Sequence, residues 1–465
     1  MVFSSLIFLC GFLPLTILGY RFLPQQYRNL FLLIMSLLFY AWGEPVYILL
    51  MTVSILVNYA GGLLVSNAQK RGESGKSMLI ATCAINLALL GFFKYTNLLL
   101  STVNSLTGAS IALLKLALPI GISFYTFQAM SYVIDVYRGE VQVQRSLVNF
   151  AMYVTLFPQL IAGPIVRYAD VETQIEHRRE TASLFWAGIV RFCIGLAKKA
   201  LLANQAGRLW DTISAQQGEI PLLTAWLGAI AFTFQIYFDF SGYSDMAIGL
   251  GKMFGFTFPE NFRYPYQSDS ITDFWRRWHI TLSTWFREYV YIPLGGNRCG
   301  KKRQILNLLA VWALTGLWHG AGWNFLCWGI YFFLLLVLEK NVLAEKLSKL
   351  PQIPRRIYAL FFIVLGWVLF AIEDFAALWD YVKSLFGAGG FCSEQTLYLF
   401  SSYALLLVFM AIGSTELPAK LGKLAKEKLG RNGIWAEAAF CAFLLIFSVS
   451  SIVADSYNPF LYFRF

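Results

Sequence analysis

Long apolar runs alternate with short polar connections along the whole chain. Stretches of roughly membrane-spanning length lie at about 3–20, 29–42, 45–65, 78–93, 98–114, 119–137, 147–166, 183–203, 219–250, 304–318, 320–339, 357–372, 398–414 and 434–452. Because some of them are short, we expect roughly 10–12 transmembrane helices, with the remaining stretches as re-entrant or interfacial pieces. The pattern therefore predicts an all-α, polytopic membrane protein with one integral-membrane domain over residues 1–465.

The composition supports a membrane protein and narrows the classes of function. Hydrophobic residues make up 58% of the chain and charged residues 14%, which leaves too little polar surface to cover a water-soluble globule. The net charge is +11, but the basic residues lie in short blocks between apolar runs, without a basic stripe of interleaved aromatic residues. We therefore expect no nucleic-acid partner, and we expect any chemistry to take place within the membrane body.

The basic blocks also predict an orientation, because membrane proteins concentrate lysine and arginine in their cytoplasmic loops. The blocks are Arg21 with Arg28; Lys70, Arg71 and Lys76; Arg167, Arg178 and Arg179; Arg298, Lys301, Lys302 and Arg303; Lys340, Lys346, Lys349, Arg355 and Arg356; and Lys420, Lys423, Lys426, Lys428 and Arg431. Counting from either end places both termini outside, together with the acidic stretch Glu373, Asp374 and Asp380. We expect a multi-pass protein of the bacterial inner membrane.

Two of the three histidines lie in unusual surroundings, whereas His177 lies in a charged loop and is expected at the surface. His319 ends an apolar run in which Gly316, Gly320 and Gly322 are close by. An ionisable side chain in such a run is costly unless it is paired, so His319 is a functional candidate. The glycines allow a ligand or another backbone to approach it. The alternative is a core histidine that is satisfied by a carbonyl group.

His279 lies in an aromatic and basic segment, residues 273–289, with the spacing of one amphipathic helix. Ser270 and Asp273 give this helix an N-terminal capping pattern, and His279 falls at the seam between the apolar and polar faces. Two interpretations stay open: an interfacial helix, or a helix that dips inward and carries His279 to an active site. A haem held by His279 and His319 has no attachment signal, and no metal site is indicated.

Asp239 and Asp245 form a further polar cluster within an apolar run. They are six residues apart and do not share a helix face, so polar contacts between helices and the lining of a substrate tunnel are both open interpretations. The rival function is a lipid-linked sugar transporter with Asp239, Asp245 and Arg191 along its path. A scaffold that recruits a secreted transferase is a third possibility.

Three motifs stand out in the second half of the chain: Trp275-Arg-Arg-Trp-His279, Tyr289-Val-Tyr-Ile-Pro-Leu-Gly-Gly-Asn-Arg298 and Leu317-Trp-His-Gly320. Together with further matches at 123–128, 132–138, 157–164, 260–265 and 458–465, they resemble motifs of the membrane-bound O-acyltransferases. The resemblance is closest to the bacterial alginate O-acetylation branch, which also includes the teichoic acid D-alanyl transferase. The resemblance implies a helical membrane fold over the whole chain, in which a funnel and a tunnel meet at His319, with His279 as the second polar site residue. Many relatives in the alginate branch carry another histidine shortly after the next Trp-Gly, where this chain has Trp328-Gly329-Ile330.

The resemblance implies acyl transfer from a thioester to a hydroxyl group, for which imidazole is a suitable base. Candidate oxyanion donors are Asn324, the indole N–H groups of Trp318 and Trp323, and His279 itself. Asn324, Trp318, Trp323 and Asp239 are also candidates for lining the tunnel, and Arg298 is expected at the donor side. We expect no bound cofactor. The donor is expected to be acetyl-CoA or an acylated carrier protein from the cytoplasm.

The acceptor is expected to be alginate or another exopolysaccharide or cell-wall polymer at the outer face. D-alanyl or other acyl transfer to teichoic acid is the alternative. A secreted or membrane-anchored O-acetyltransferase is the expected partner protein, beside membrane lipids.

Overall fold

Helices are the only regular secondary structure among the residues that the computed structural model describes, which are 1–216, 218–454 and 460–461. The α-helices are α1 Leu13–Phe22, α2 Gln25–Ala41, α3 Ile48–Lys70, α4 Lys76–Thr107, α5 Ile122–Arg138, α6 Leu147–Thr155, α7 Phe157–Leu160, α8 Tyr168–His177, α9 Ala182–Ala197, α10 Asn204–Ser214, α11 Leu222–Met253, α12 Ile271–Arg277, α13 Ile280–Phe286, α14 Lys301–His319, α15 Trp323–Leu338, α16 Ala344–Lys349, α17 Gln352–Ala371, α18 Phe375–Leu385, α19 Glu394–Gly413, α20 Leu417–Leu429 and α21 Gly433–Ala454. In the described part of the chain, neighbouring helices are extended by four π-helical segments, which are Ile7–Phe12, Lys198–Ala203, Arg287–Tyr291 and Glu339–Leu343. Most of the motif at 458–465 and the side chain of Arg431 lie outside the described residues.

Seven helical segments of the described chain are long and apolar enough to cross a membrane. They are Ile48–Lys70, Lys76–Thr107, Leu222–Met253, Trp323–Lys349, Gln352–Ala371, Glu394–Gly413 and Gly433–Ala454. Other apolar stretches form shorter helices; α2 and α5 have 17 residues each, which is about 25 Å of helix. The all-α, multi-pass fold that the pattern predicts is confirmed.

Two of the predicted stretches end earlier than expected. The stretch at 98–114 stops being helical after Thr107, where Gly108 adopts a left-handed conformation with φ 69° and ends the helix. The stretch at 147–166 is interrupted after Thr155, because Leu156 leaves the helical conformation, with φ −50° and ψ 109°, and Pro158 removes a backbone donor. In both cases a local backbone feature overrides the apolar composition.

The chain divides into two compact units, which are described separately. The first unit contains residues 1–192 and 244–259, and the second contains residues 193–243 and 260–465. Within the first unit, Asn58 on α3 and Asn86 on α4 exchange two side-chain hydrogen bonds of 2.9 and 3.0 Å. In the same unit Arg191 pairs with Asp245 at 2.6 Å. Asp245 on α11 therefore makes a polar contact with α9, which is one of the two interpretations that the sequence left open.

In the second unit, α14 and α15 form a tight hairpin that carries His319 at its turn. A Cβ atom on Gly316 would lie 2.4 Å from the Phe325 carbonyl oxygen, and one on Gly320 would lie 2.1 Å from the Phe325 ring. Since real Cβ atoms do not approach so closely, these glycines allow the two helices to pack. The sequence left open whether a ligand or another part of the chain approaches these glycines. In the structure, Phe325 packs against them.

Candidate active site

His279 lies at a break in the predicted amphipathic helix. Residues 273–289 do not form one helix: α12 ends at Arg277, α13 begins at Ile280, and His279 between them adopts φ 43° in the left-handed region. The prediction of one continuous helix is therefore wrong. Its N-terminal cap is right, because the Ser270 hydroxyl accepts the main-chain N–H of Asp273 at 3.0 Å. His279 is buried rather than at the seam, with 3% of its surface exposed.

Asn261 holds this corner and orients the imidazole ring. Its side-chain oxygen accepts the main-chain N–H of Thr281 at 3.2 Å and the Thr281 hydroxyl at 2.9 Å, and it lies 3.2 Å from His279 Nδ1. A main-chain N–H only donates, so the Asn261 atom at this point is the oxygen, and the neutral imidazole carries its proton on Nδ1. The lone pair of His279 is then on Nε2.

Burial sets the protonation state of His279. The ring lies outside the seven membrane-crossing segments, and burial lowers its pKa to about 3. His279 is therefore neutral at physiological pH. A neutral imidazole with its lone pair on Nε2 accepts a hydrogen bond from a hydroxyl group and does not donate one to a negative oxygen.

His319 is the last residue of α14 and lies among aromatic rings of the second unit. It is 7% exposed, and its ring centroid lies 5.0 Å from those of Trp318 and Trp328 and 5.4 Å from that of Phe370. The Trp318 indole also lies 5.8 Å from the His279 ring, in an edge-on arrangement. The structure therefore brings both histidines against the same indole.

Asn324 and Trp323, two further residues predicted at the site, differ in how deeply they are buried. Asn324 is 1% exposed and donates from Nδ2 to the Phe370 carbonyl at 3.2 Å, while its Oδ1 has no hydrogen-bond partner among the described residues. Trp323 begins α15 and is 49% exposed, so the structure does not place it in the buried aromatic group. One residue that sequence reasoning missed is Trp328, which is fully buried beside His319 and whose indole N–H has no partner among the described residues.

Asp239 is part of a buried ion pair. It is 1% exposed, lies 2.5 Å from Lys199 Nζ and accepts the main-chain N–H of Leu461 at 2.8 Å. These contacts join α11 to the π-helical segment Lys198–Ala203 and to the end of the described chain, so they fit the polar-contact interpretation. Sequence reasoning overlooked Lys199, although a lysine within the apolar stretch at 183–203 was a signal that a partner is present.

Arg298 lies in an exposed turn before α14. Arg298, Lys301, Lys302 and Arg303 are all exposed, and none of them makes an ion pair within the described part of the chain. His177, in the first unit, is exposed as predicted. No group of three or more His, Cys, Asp or Glu side chains among the described residues is placed to hold a metal ion.

The buried group suits proton transfer between uncharged reactants. Two imidazoles, a free indole N–H and an amide oxygen lie in aromatic surroundings from which bulk water is largely excluded, where hydrogen bonds to developing charge are strong. Such an arrangement can deprotonate a hydroxyl group and stabilise the oxygen of a carbonyl under attack.

Comparison with known proteins identifies the family. The model of the membrane-bound O-acyltransferase family matches residues 141–375, a range that contains both His279 and His319. The chain is similar over its full length, at 40% identity, to all of a protein of Azotobacter vinelandii named "Probable alginate O-acetylase". It is 33% identical to the peptidoglycan O-acetyltransferase of Helicobacter pylori, over 84% of this chain and 80% of that one. It is 30% identical to the teichoic acid D-alanyltransferase of Bacillus subtilis, over 47% of this chain and 58% of that one. The chain therefore belongs to the membrane-bound O-acyltransferase family and is a multi-pass membrane acyltransferase.

Proposed function

We propose that this enzyme moves an acetyl group from a cytoplasmic thioester to a hydroxyl group of a polysaccharide outside the inner membrane. The relatives named for alginate and peptidoglycan O-acetylation match most or all of the chain, whereas the D-alanyltransferase matches about half of it. These extents of similarity favour acetyl over D-alanyl transfer. Alginate or a similar polymer is the acceptor that they favour.

His319 is the general base in this proposal, and the observation that carries it is the placement of both histidines against the Trp318 indole. The hydroxyl proton passes to the His319 ring while the hydroxyl oxygen attacks the thioester carbonyl. The tetrahedral intermediate then expels the thiolate, which takes up the proton held by the His319 ring and so returns the imidazole to its neutral form. A base of this kind contributes about 10²–10⁴-fold to the rate.

His279 and the indoles have different parts in the same step. Because the His279 proton is on Nδ1 toward Asn261, its Nε2 accepts a hydrogen bond and orients the attacking hydroxyl group. The sequence had left His279 among the candidate oxyanion donors, a part that this tautomer does not suit. The indole N–H of Trp328 is the better donor, since it is buried beside His319 and has no partner among the described residues.

The donor is proposed to approach from the basic end of α14. Lys301 begins this helix and His319 ends it, which separates them by about 27 Å of helix. If the exposed cations from Arg298 to Arg303 face the cytoplasm, His319 lies toward the outer face, and the thioester must reach it through the membrane body. A basic entrance suits the phosphates of CoA or an acidic carrier protein.

The test is the substitution His319→Ala, with His177→Ala as the matched control because His177 is exposed. In cells that make the polymer, we expect His319→Ala to remove its O-acetyl groups while the amount of protein in the membrane stays within about twofold. His177→Ala should leave acetylation unchanged. Normal acetylation with His319→Ala would instead support a transporter or a scaffold, neither of which needs this base.

A further inference from the structure

Glu339 is a buried acid that the proposed acyl transfer does not use. It lies in the π-helical segment that continues α15, and it is 5% exposed. One carboxylate oxygen accepts the main-chain N–H of Ile271 at 2.7 Å, and the other accepts that of Thr272 at 2.9 Å. Burying a carboxylate is costly unless its oxygens are satisfied, and here both oxygens bind the first turn of α12.

This contact joins the two elements that carry the histidines. Glu339 belongs to the helix that follows His319, and α12 is the helix that precedes His279. The same α12 packs on that hairpin through Trp275, whose ring lies 4.7 Å from Trp312 and 4.9 Å from Phe332. The start of α12 is thus fixed to α15, and its end sets where the corner at His279 begins.

The corner needs such support, because His279 has φ 43°, and left-handed backbone is unfavourable for a residue other than glycine. The periodicity of residues 273–289 is that of one straight helix, so straightening is the relaxation that the local sequence favours. A straight helix would take His279 away from Asn261. We infer that Glu339 is a positioning residue, which holds α12 at the angle that keeps the helix broken at His279 and so keeps the imidazole on Asn261. This inference rests on the proposed function and deepens it.

The first test is Glu339→Gln, which keeps the shape of the side chain but replaces one acceptor oxygen with an NH₂ group facing a main-chain N–H. We expect kcat to fall about tenfold, with KM for the acyl donor within about twofold, because the donor site is intact while the hydroxyl group is poorly oriented. The matched control is Glu345→Gln, since Glu345 is exposed and pairs only with Lys349 at the surface among the described residues. It should leave both constants unchanged.

The second measurement reports on His279 directly. Because the chain has only three histidines, solid-state NMR of protein with ¹⁵N-labelled histidine in lipid bilayers shows three imidazoles, with His177 as an internal reference. In wild type we expect His279 protonated on Nδ1. In Glu339→Gln its signals should move or show both tautomers, while those of His177 stay in place.

Two results would overturn the inference: a kcat within twofold of wild type, or a lower kcat with unchanged His279 signals, which indicates only general destabilisation. If Glu339→Gln does not insert, Glu339→Asp is measured in the same two ways and judged by the same criteria. Failure of the proposed function is recognised separately, because His319→Ala would then remain active whatever Glu339 does.

Discussion

Asn261 supports both the left-handed backbone at His279 and the tautomer of the His279 ring. Asn261 accepts from Thr281 and binds His279 Nδ1, and the main-chain N–H of Ile280 donates to the Asn261 carbonyl at 3.0 Å. Burial keeps the imidazole neutral, and the bond to Asn261 leaves Nε2 as its accepting atom. The role of His279 therefore follows from its buried neighbours, whereas His177 is exposed.

Burial of His279 predicts that the folded state becomes less stable as pH falls. Burial lowers the pKa of His279 in the folded state to about 3, below the ordinary value of about 6.5. Between these values the unfolded chain binds a proton that the folded chain does not, so stability decreases toward acid by up to about 1.4 kcal/mol per pH unit. We expect the thermal midpoint in detergent to drop between pH 7 and pH 5, and to drop less in His279→Gln. An equal drop in both proteins would contradict this account.

At the scale of helices, apolar runs and capping residues were sufficient to predict most elements, but not the corner. The hairpin of α14 and α15 and the Ser270 cap follow from local sequence. The break at His279 depends on Asn261, 18 residues away, and on Glu339, whose contacts span 67 and 68 residues. The spacing of apolar residues at 273–289 depends only on positions that are close in the sequence, so it indicated one straight helix. For the same reason Trp328 was not recognised beside His319.

The packing of α14 on α15 predicts that Gly316→Ala destabilises the protein. The added Cβ would lie 2.4 Å from the Phe325 carbonyl oxygen, a backbone atom that cannot move alone, so we expect a loss of about 1–3 kcal/mol. Gly422→Ala on α20 is the matched control, since nothing lies within 4 Å of its Cβ position and alanine favours helix. Thermal unfolding in detergent measures both. Equal midpoints for the two variants would show that the hairpin is not tightly packed.

The basic start of α14 predicts salt-sensitive use of the donor. Reversing the charges of Arg298, Lys301, Lys302 and Arg303 should raise KM for the acyl donor, because exposed cations attract its phosphates or an acidic carrier surface. The difference from wild type should shrink as salt increases, since the screening length shortens. The control reverses Lys346 and Lys349, exposed cations elsewhere on the chain. Unchanged donor KM would place the donor entrance elsewhere.

At the scale of the whole molecule, the proposed direction of transfer depends on which loops face the cytoplasm. Single cysteines in a cysteine-free background test this with an impermeant maleimide added to intact cells. A cysteine at the exposed Glu373 should react from outside, whereas cysteines at Lys301 and Lys423, also exposed, should react only after permeabilisation. Asp455, a further position predicted outside, lies beyond the described residues. The inverse labelling pattern would overturn outward delivery of the acyl group.

The central claim, that His319 is the base of an acyl transfer in the membrane, is tested most directly by a rate. Isolated membranes that contain the enzyme and its polymer are given radiolabelled acetyl-CoA or acetylated carrier protein, and label in the polymer is followed over time. We predict that His319→Ala transfers label at least about a hundredfold more slowly than wild type, and that His177→Ala stays within about twofold. Transfer by His319→Ala at the wild-type rate would contradict the account.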